Sequence, residues 1–593
     1  MSPVTSSLQR AAEQLRAGQA AAAEPALRRH LQSYADDAHA NRLMALCLLQ
    51  QKKAVQAEFY ARRAAAAGPD EPSNHDVLGS VLMMLHKGAE AERVYARGCE
   101  LGPRIPSVHT GRGAALLQLE EFEAAHDCFE RALALNPASE EIAGYLAFAK
   151  QRTYRMEEAW ELLRRTVARH PRHTRLREQL AVLCNYVGAP ADETLAHHRA
   201  LGALITEEAQ AQGAGPVKFG VTPEPGRALR VGLISPDFRE HSVSRFVEGL
   251  VSNAGDSVRY VAFSATPRED ATTARLRAHM PEWHDVRALS DAKLALLSRQ
   301  EKIDIAIDLA GYTSGTRLAA LAHRAAPVQV SAIGYPNTTG LALVGWRVGD
   351  AITDPAGGPK MTTELMLRVE PCFLCFEPPP EAPEVRPRDA GPIRFGSFNL
   401  LKKLSPATLA LWGKVLAAVP GSKLVLKAHS MEKPGIRERV IAACGRAGMA
   451  PERVEILSYQ PTISAHLGAY HGVDIALDTT PYNGTTTTCE AMWMGVPVVT
   501  LAGEVHAARV GHSLLRAAGQ ADLVAHTQDE FVEIARRLAA DGPGLAARRA
   551  GLREALRGSV LCDAPAYARA FEVVLRHAWR GWCEGQRAPG GRA

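Results

Sequence analysis

Long apolar runs are missing from this sequence: nowhere do about 18 such residues follow one another, so no segment reads as a membrane-crossing helix. Its start, Met1-Ser-Pro-Val-Thr-Ser-Ser7, also lacks the charged-then-apolar pattern of a secretory leader, and a cytoplasmic protein with no membrane partner is the expectation. Cysteine is sparse and dispersed. Of ten, only Cys372-Phe-Leu-Cys375 shows close spacing, and one C-x-x-C with apolar flanks, no second pair and no nearby His argues for buried thiols rather than a metal site. An excess of one charge is lacking too. A net charge of +5 over 593 residues fits Arg-rich solvated helix faces and leaves no basis for a nucleic-acid partner.

What is present is ordinary in bulk, 46% hydrophobic and 22% charged, as in soluble globular proteins. The chain is too long for one core; at about 150 residues per domain, three or four are expected.

The first third is periodic. Pro69, Pro103, Pro137 and Pro171 recur every 34 residues, the tetratricopeptide spacing. Small residues keep the same register: Ala57, Ala91, Ala125 and Ala159 precede those prolines, and Ala45, Gly79, Gly113 and Ala147 stand earlier in each unit. They let paired helices approach, while Tyr95, Phe129 and Leu163 fill the space between units. With a degenerate earlier copy (Ala11, Ala23, Leu27), about five repeats are predicted over residues 1–171. Such a solenoid presents an extended concave face suited to protein acceptors. Residues 172–227 read as capping helices and a Gly/Pro linker.

From Leu229 short apolar runs alternate with helix-length segments. Runs at 229–234, 260–263, 303–307 and 328–332 predict one parallel sheet; those at 393–398, 424–427, 454–457, 473–477 and 498–501 predict a second. Between them Glu377-Pro-Pro-Pro-Glu-Ala-Pro-Glu-Val-Arg-Pro387 cannot continue a central strand or a helix and reads as a hinge. Two Rossmann-like domains result, residues 228–388 and 389–593, the latter with terminal helices, and a ligand cleft is expected between their strand ends.

Candidate site residues follow these strands. In Asp478-Thr-Thr-Pro-Tyr-Asn-Gly-Thr-Thr-Thr-Thr-Cys-Glu490, the segment Asn483, Gly484, Thr485, Thr486 and Thr487 stands between a strand and a helix. Free N–H groups, hydroxyls and a closely approaching glycine there suit a phosphate, although a Thr-rich helix start also serves as a plain cap. Phe398-Asn-Leu-Leu-Lys-Lys-Leu-Ser-Pro406 brings Lys402 or Lys403 toward the same place. In Ser235-Pro-Asp-Phe-Arg-Glu-His-Ser-Val-Ser244, His241 either positions an acceptor hydroxyl, accepts its proton, or caps the loop. Gly334-Tyr335-Pro336 predicts a tight turn that brings backbone donors toward a ligand.

The run Asp478–Val499, the Ser-Pro-Asp-Phe…His-Ser-Val-Ser loop, the heptad Gly334–Gly340 and Phe-Asn-x-x-x-Lys together resemble the SPINDLY branch of the family that includes the protein O-GlcNAc transferases, over roughly residues 228–580 plus the repeats. The resemblance implies an α-solenoid followed by an α/β GT-B glycosyltransferase of two Rossmann-like domains. It implies an inverting, metal-independent protein O-glycosyltransferase that moves GlcNAc from UDP-GlcNAc to Ser or Thr, with no cofactor. It places Lys403 on the pyrophosphate with Thr486 and Thr487, His466 at the base, Glu490 at the ribose, the heptad at the sugar and His241 as an essential active-site histidine. Thr485, Leu400 and Ile463 stand where GlcNAc-transferring members carry His, Gln and Lys, which keeps GDP-fucose open as donor. An inactive repeat-bearing scaffold is the remaining alternative.

Overall fold

The computed structural model describes residues 3–357 and 361–587. The chain divides into two units, Met1–His170 and Pro171–Ala593. In the first, helices Pro3–Arg16 and Ala20–Ser33, Ala38–Gln50 and Ala54–Ala67, Pro72–Met84 and Gly88–Leu101, Pro106–Gln118 and Phe122–Leu135, and Glu140–Arg152 and Met156–Arg169 form successive hairpins. The small residues of the repeat do what their spacing predicts. A Cβ on Gly79 would stand 2.6 Å from the Tyr95 ring and one on Gly113 would stand 2.7 Å from the Phe129 ring. Ala45, Ala57, Ala91, Ala125, Ala147 and Ala159 are fully buried. The turn inside four hairpins holds Lys52, His86, Glu120 and Tyr154 at positive φ, again at the repeat spacing but without glycine to mark it.

The second unit opens with helices Thr174–Val187 and Ala191–Ala211, which belong to the core of the lobe that follows: Leu201, Ile205 and Ala209 pack with Ile234, Ala306 and Leu321. Strands β1 (Leu229–Ser235), β2 (Val258–Ser264), β3 (Trp283–Asp285), β4 (Ile305–Asp308), β5 (Val328–Ser331), β6 (Trp346–Gly349) and β7 (Leu365–Arg368) make one sheet in the order β3-β2-β1-β4-β5-β6-β7. Strands β8 (Arg394–Ser397), β9 (Lys423–Leu426), β10 (Val454–Ile456), β11 (Ile475–Leu477), β12 (Val498–Leu501) and β13 (Val524–Ala525) make the other, ordered β10-β9-β8-β11-β12-β13. Paired strands run parallel in both, from β1 with β2 and β4 to β11 with β8 and β12. Each sheet therefore changes winding direction once, between β1 and β4 and between β8 and β11, where α/β sheets open a ligand crevice. Short strands β3, β6, β7 and β13 were not legible as apolar runs.

The Pro-rich segment lies between the sheets, as read. The closing helix Ala564–Arg587 does not stay with the second sheet. Tyr567 donates to Phe373 O (2.9 Å), Glu572 accepts from Gly255 N (2.8 Å), and Trp579 Nε1 donates to Glu224 O (3.0 Å), so the chain end is built into the first lobe. Among the described residues no helix is long and apolar enough to cross a membrane.

A close backbone approach joins Ala191–Ala211 to the heptad. Gly340 has φ +70°, and a Cβ there would stand 2.0 Å from His198 O. Gly340→Ala is expected to cost at least about 2 kcal/mol through left-handed strain and overpacking; thermal unfolding of the full chain measures it, and an unchanged transition would refute the packing.

Candidate functional site

The loop after β11 is organised by Asp478. Its Oδ1 accepts from Thr479 N (2.8 Å) and Gly484 N (2.6 Å), and its Oδ2 accepts from Thr500 Oγ1 (2.7 Å). Burial raises its pKa to about 6. Helix Pro406–Ala418 supports the same loop: Ser405, its N-cap, and Thr408 both donate to Thr480 O (2.7 and 2.6 Å), and Trp412 Nε1 donates to Asp478 O (3.2 Å). Ser405 and Pro406 thus start this helix as their residue types predict.

The loop delivers the chain into helix Thr486–Trp493, and no side chain caps it. The threonines are therefore not an ordinary cap. Thr487 Oγ1 donates to Asn399 Oδ1 (2.9 Å), while Thr486 Oγ1 is buried without a partner. A buried hydroxyl left unpaired costs on the order of 1–3 kcal/mol, which a ligand accepting its proton would recover. Gly484 leaves the approach open: a Cβ there would lie 2.6 Å from Thr487 Oγ1.

Lys403 is buried beside this helix start. Its Nζ donates to Asn483 O (2.6 Å) and lies 3.9 Å from the Tyr482 ring centroid. Desolvation pulls its pKa down from 10.5 to about 7, against the attraction of Asp478. Lys402 instead lies over Tyr186, 4.1 Å from its ring centroid, which distinguishes the two lysines. Asn483 is held by its own loop: its Nδ2 donates to Thr479 O (2.8 Å) and its Oδ1 accepts from Gly511 N (3.2 Å). Its side chain shapes the cradle and its carbonyl holds the lysine. Thr485 is the half-buried residue before the helix.

His466 and Glu490 meet directly. His466 Nδ1 accepts from Lys427 Nζ (2.5 Å), and Nε2–H donates to Glu490 Oε2 (3.1 Å). Lys427, at the end of β9, was not singled out in the sequence; only the fold brings it here. Burial lowers its pKa to about 8, with Glu490 pulling the other way. Phe398 and Tyr470, with ring centroids 4.4 Å apart, back this group.

In the first lobe His241 follows β1. Its Nδ1 accepts from Val243 N (3.3 Å) and lies 3.6 Å from Asp237 Oδ1. Burial lowers the imidazole pKa, and Asp237 opposes that; with Val243 N donating to Nδ1, the neutral ring would carry its proton on Nε2. No hydrogen bond joins His241 to the second-lobe residues. The heptad divides. Gly334 allows a close crossing, since a Cβ there would lie 1.9 Å from Leu309 O, and Pro336 lines an open inter-lobe cavity. Tyr335 goes into the core, its hydroxyl bonded to His198 Nε2 (2.8 Å) and Asn185 Nδ2 (3.1 Å). Cys372 and Cys375 are free and buried, and among the described residues no three His, Cys, Asp or Glu side chains are grouped as a metal site requires.

Comparison with known proteins gives a consistent picture. The family model described as glycosyl transferase family 41 matches residues 192–374 and 386–571, interrupted at the Pro-rich hinge, and a tetratricopeptide model matches 106–139. The chain is 41% identical over 372 residues to a protein of Arabidopsis thaliana named as probable UDP-N-acetylglucosamine–peptide N-acetylglucosaminyltransferase SPINDLY, covering 61% of this chain and 41% of that one. Against the Arabidopsis relative of the same activity name called SEC, identity is 30% over 388 residues, or 63% of this chain and 39% of that one. The chain spans about two fifths of the length of these curated relatives. Among solved structures, a mutant of the Thermobaculum terrenum O-GlcNAc transferase superposes with TM-score 0.65 at 33% identity, over 98% of each chain.

The electrostatics of Lys403 set a pH dependence. A diphosphate held against it would raise its pKa, so binding above pH 7 would take up a proton and affinity should fall by up to about tenfold per pH unit. Calorimetry of nucleoside diphosphate binding between about pH 6 and 9 in buffers of different ionisation enthalpy would show this uptake; flat affinity with no proton uptake contradicts it. Without ligand the buried ammonium is a liability, present in full below about 7 and relieved as pH rises toward 10.5. Lys403→Met should therefore leave the unfolding temperature at pH 6 unchanged or higher while weakening nucleotide binding at least about tenfold.

Proposed function

The chain belongs to glycosyl transferase family 41, and from that membership we propose that it is an inverting, metal-independent protein O-glycosyltransferase acting on Ser or Thr of proteins recruited by its repeats. The observation that carries this reading is the uncapped start of helix Thr486–Trp493, with Thr486 unpartnered and Lys403 buried beside it. That combination suits a diphosphate leaving group. Backbone N–H groups at the helix start, the Thr486 hydroxyl, the Thr487 hydroxyl once turned from Asn399, and the Lys403 ammonium would stabilise the charge that develops as the bond from the anomeric carbon to the diphosphate oxygen breaks. Glu490 Oε1, whose neighbour Oε2 already accepts from His466, would take a ribose hydroxyl, and the aromatic and histidine group beyond it would bound the base.

The acceptor oxygen would attack the anomeric carbon from the side opposite the diphosphate, forming one bond as the other breaks, with the bond's electron pair leaving on the diphosphate and the hydroxyl proton passing to a diphosphate oxygen or to water. His241 in its neutral form, with Nδ1 accepting from Val243 N, would use Nε2–H to orient the acceptor oxygen. That is a positioning role for its resting tautomer.

UDP-GlcNAc is the donor proposed first, as in the names of the relatives. GDP-fucose is the second reading, favoured by Thr485, Leu400 and Ile463, which leave the cradle without the His, Gln and Lys of GlcNAc-transferring members. Thermal shift separates them: the correct nucleotide at about 100 times its dissociation constant adds about 2.7 kcal/mol. Mass spectrometry of co-expressed proteins should find a hexosamine or deoxyhexose on Ser or Thr with the wild type and none with Lys403→Met. Absence of any added sugar under conditions where the nucleotide binds would favour the scaffold. Removing residues 1–170, which stops short of the helices built into the first lobe's core, should reduce protein modification far more than donor hydrolysis; equal losses would count against a recruiting role.

A further inference from the structure

Apart from the helix start and His241, the two lobes enclose a cavity of about 710 Å³, large enough for a metabolite. Neither Lys403, Thr486, Glu490 nor His241 lines it. Its charged lining comes from both lobes: Arg347, Asp354, Glu364 and Arg368 from the first, Glu504, His506 and Arg509 from the second.

Two of the three lining carboxylates are engaged, and the third, Glu504, is exposed to solvent. Glu364 accepts from Thr338 Oγ1 (2.6 Å) and Thr339 N (2.7 Å). Asp354 accepts from His506 Nδ1–H (2.7 Å) and from Arg347 Nη1 (3.4 Å), and those two neighbours hold its carboxyl well below the usual range despite burial. The guanidinium groups are not used up. Arg368 donates only through Nε, to Asp354 O (2.8 Å), and Arg509 only through Nε, to Gly503 O (2.8 Å). Their terminal nitrogens, and Nε and Nη2 of the buried Arg347, have no partner among the described residues. Three planar donor groups with free N–H bonds thus line one cavity in which Asp354 and Glu364 are committed elsewhere and the one remaining acid, Glu504, is solvated at the surface. Arginine forks in that state suit carboxylate or phosphate oxygens, which they bind two at a time.

We propose that this inter-lobe cavity binds a small organic anion bearing a carboxylate or phosphate, and that its occupation is coupled to the donor site. The route for coupling is short. Pro481 lines the cavity, and within two residues Asn483 presents the carbonyl that holds Lys403. An anion bridging Arg368 of one lobe and Arg509 of the other would also restrain the lobes against each other, and any effect on nucleotide affinity is matched by the nucleotide's effect on the anion.

The test is calorimetric titration of the full chain with citrate and, separately, with AMP, as wild type and as Arg368→Gln, Arg509→Gln and Lys403→Met. Expected is one anion per chain, with binding weakened about tenfold or more by either arginine substitution and kept in Lys403→Met. Which probe binds tells carboxylate from phosphate chemistry. Hydrogen exchange of the wild type needs no variant to fold: the bound probe should protect residues 480–484 and 503–509. The proposal is overturned if neither anion binds below about 10 mM, if binding ignores both arginine substitutions, if Lys403→Met abolishes it, or if protection appears only around residues 484–490.

Discussion

An ammonium buried against a single carbonyl oxygen is the constraint on which the second lobe turns. Lys403 has given up water for Asn483 O and the face of Tyr482, and the nearest acid, Asp478, is taken up by its own loop. A cation in that position costs stability unless something supplies negative charge. Everything around it keeps that demand in place. Ser405, Thr408 and Trp412 hold the loop carbonyls, Asp478 holds its N–H groups, and the helix beginning at Thr486 points its free end at the gap. The site is a stressed arrangement that an anion placed there would relax.

The duplicated topology explains how such a place comes to exist twice in one unit. Both sheets reverse their winding beside their first strand, so the loops after β1 and β4 and those after β8 and β11 diverge and leave room between them. His241 and the Asp308 loop stand at one opening, Lys403 and the Asp478 loop at the other. In both, a buried aspartate at or just beyond a strand end ties down the following N–H groups: Asp308 accepts from Gly311 N (2.7 Å) as Asp478 accepts from Gly484 N, and burial raises both carboxyls to about 6. The same device shapes a loop at each edge of the cleft.

How much of this was legible depended on whether the signal was local. The repeat period was readable because the contact it serves, glycine under Tyr95 or Phe129, recurs at the same spacing and tolerates only small residues. The longer central strands were readable as apolar runs, whereas β3, β6 and β7 are short and carry polar or exposed positions, and β13 is two residues long. Tyr335 shows the limit of motif reading. Its neighbours Gly334 and Pro336 serve a close crossing and a cavity wall, but its own side chain points the other way and locks the Thr174–Val187 and Ala191–Ala211 helices to the lobe. Lys427 shows the converse, a lysine that looks solvated in a strand end and proves to be the donor that orders His466.

The amino-acid sequence by itself determined the repeat solenoid, the two α/β lobes, the Pro-rich segment between them and the threonine-rich helix start, because each is written in residue types a few positions apart. Only the tertiary structure decided which lysine meets that helix, which histidine meets Glu490, where the last helix docks and that three arginines share a cavity. Those outcomes depend on desolvation and on contacts between residues tens to hundreds of positions apart, and neither is set until the sheets have closed around them.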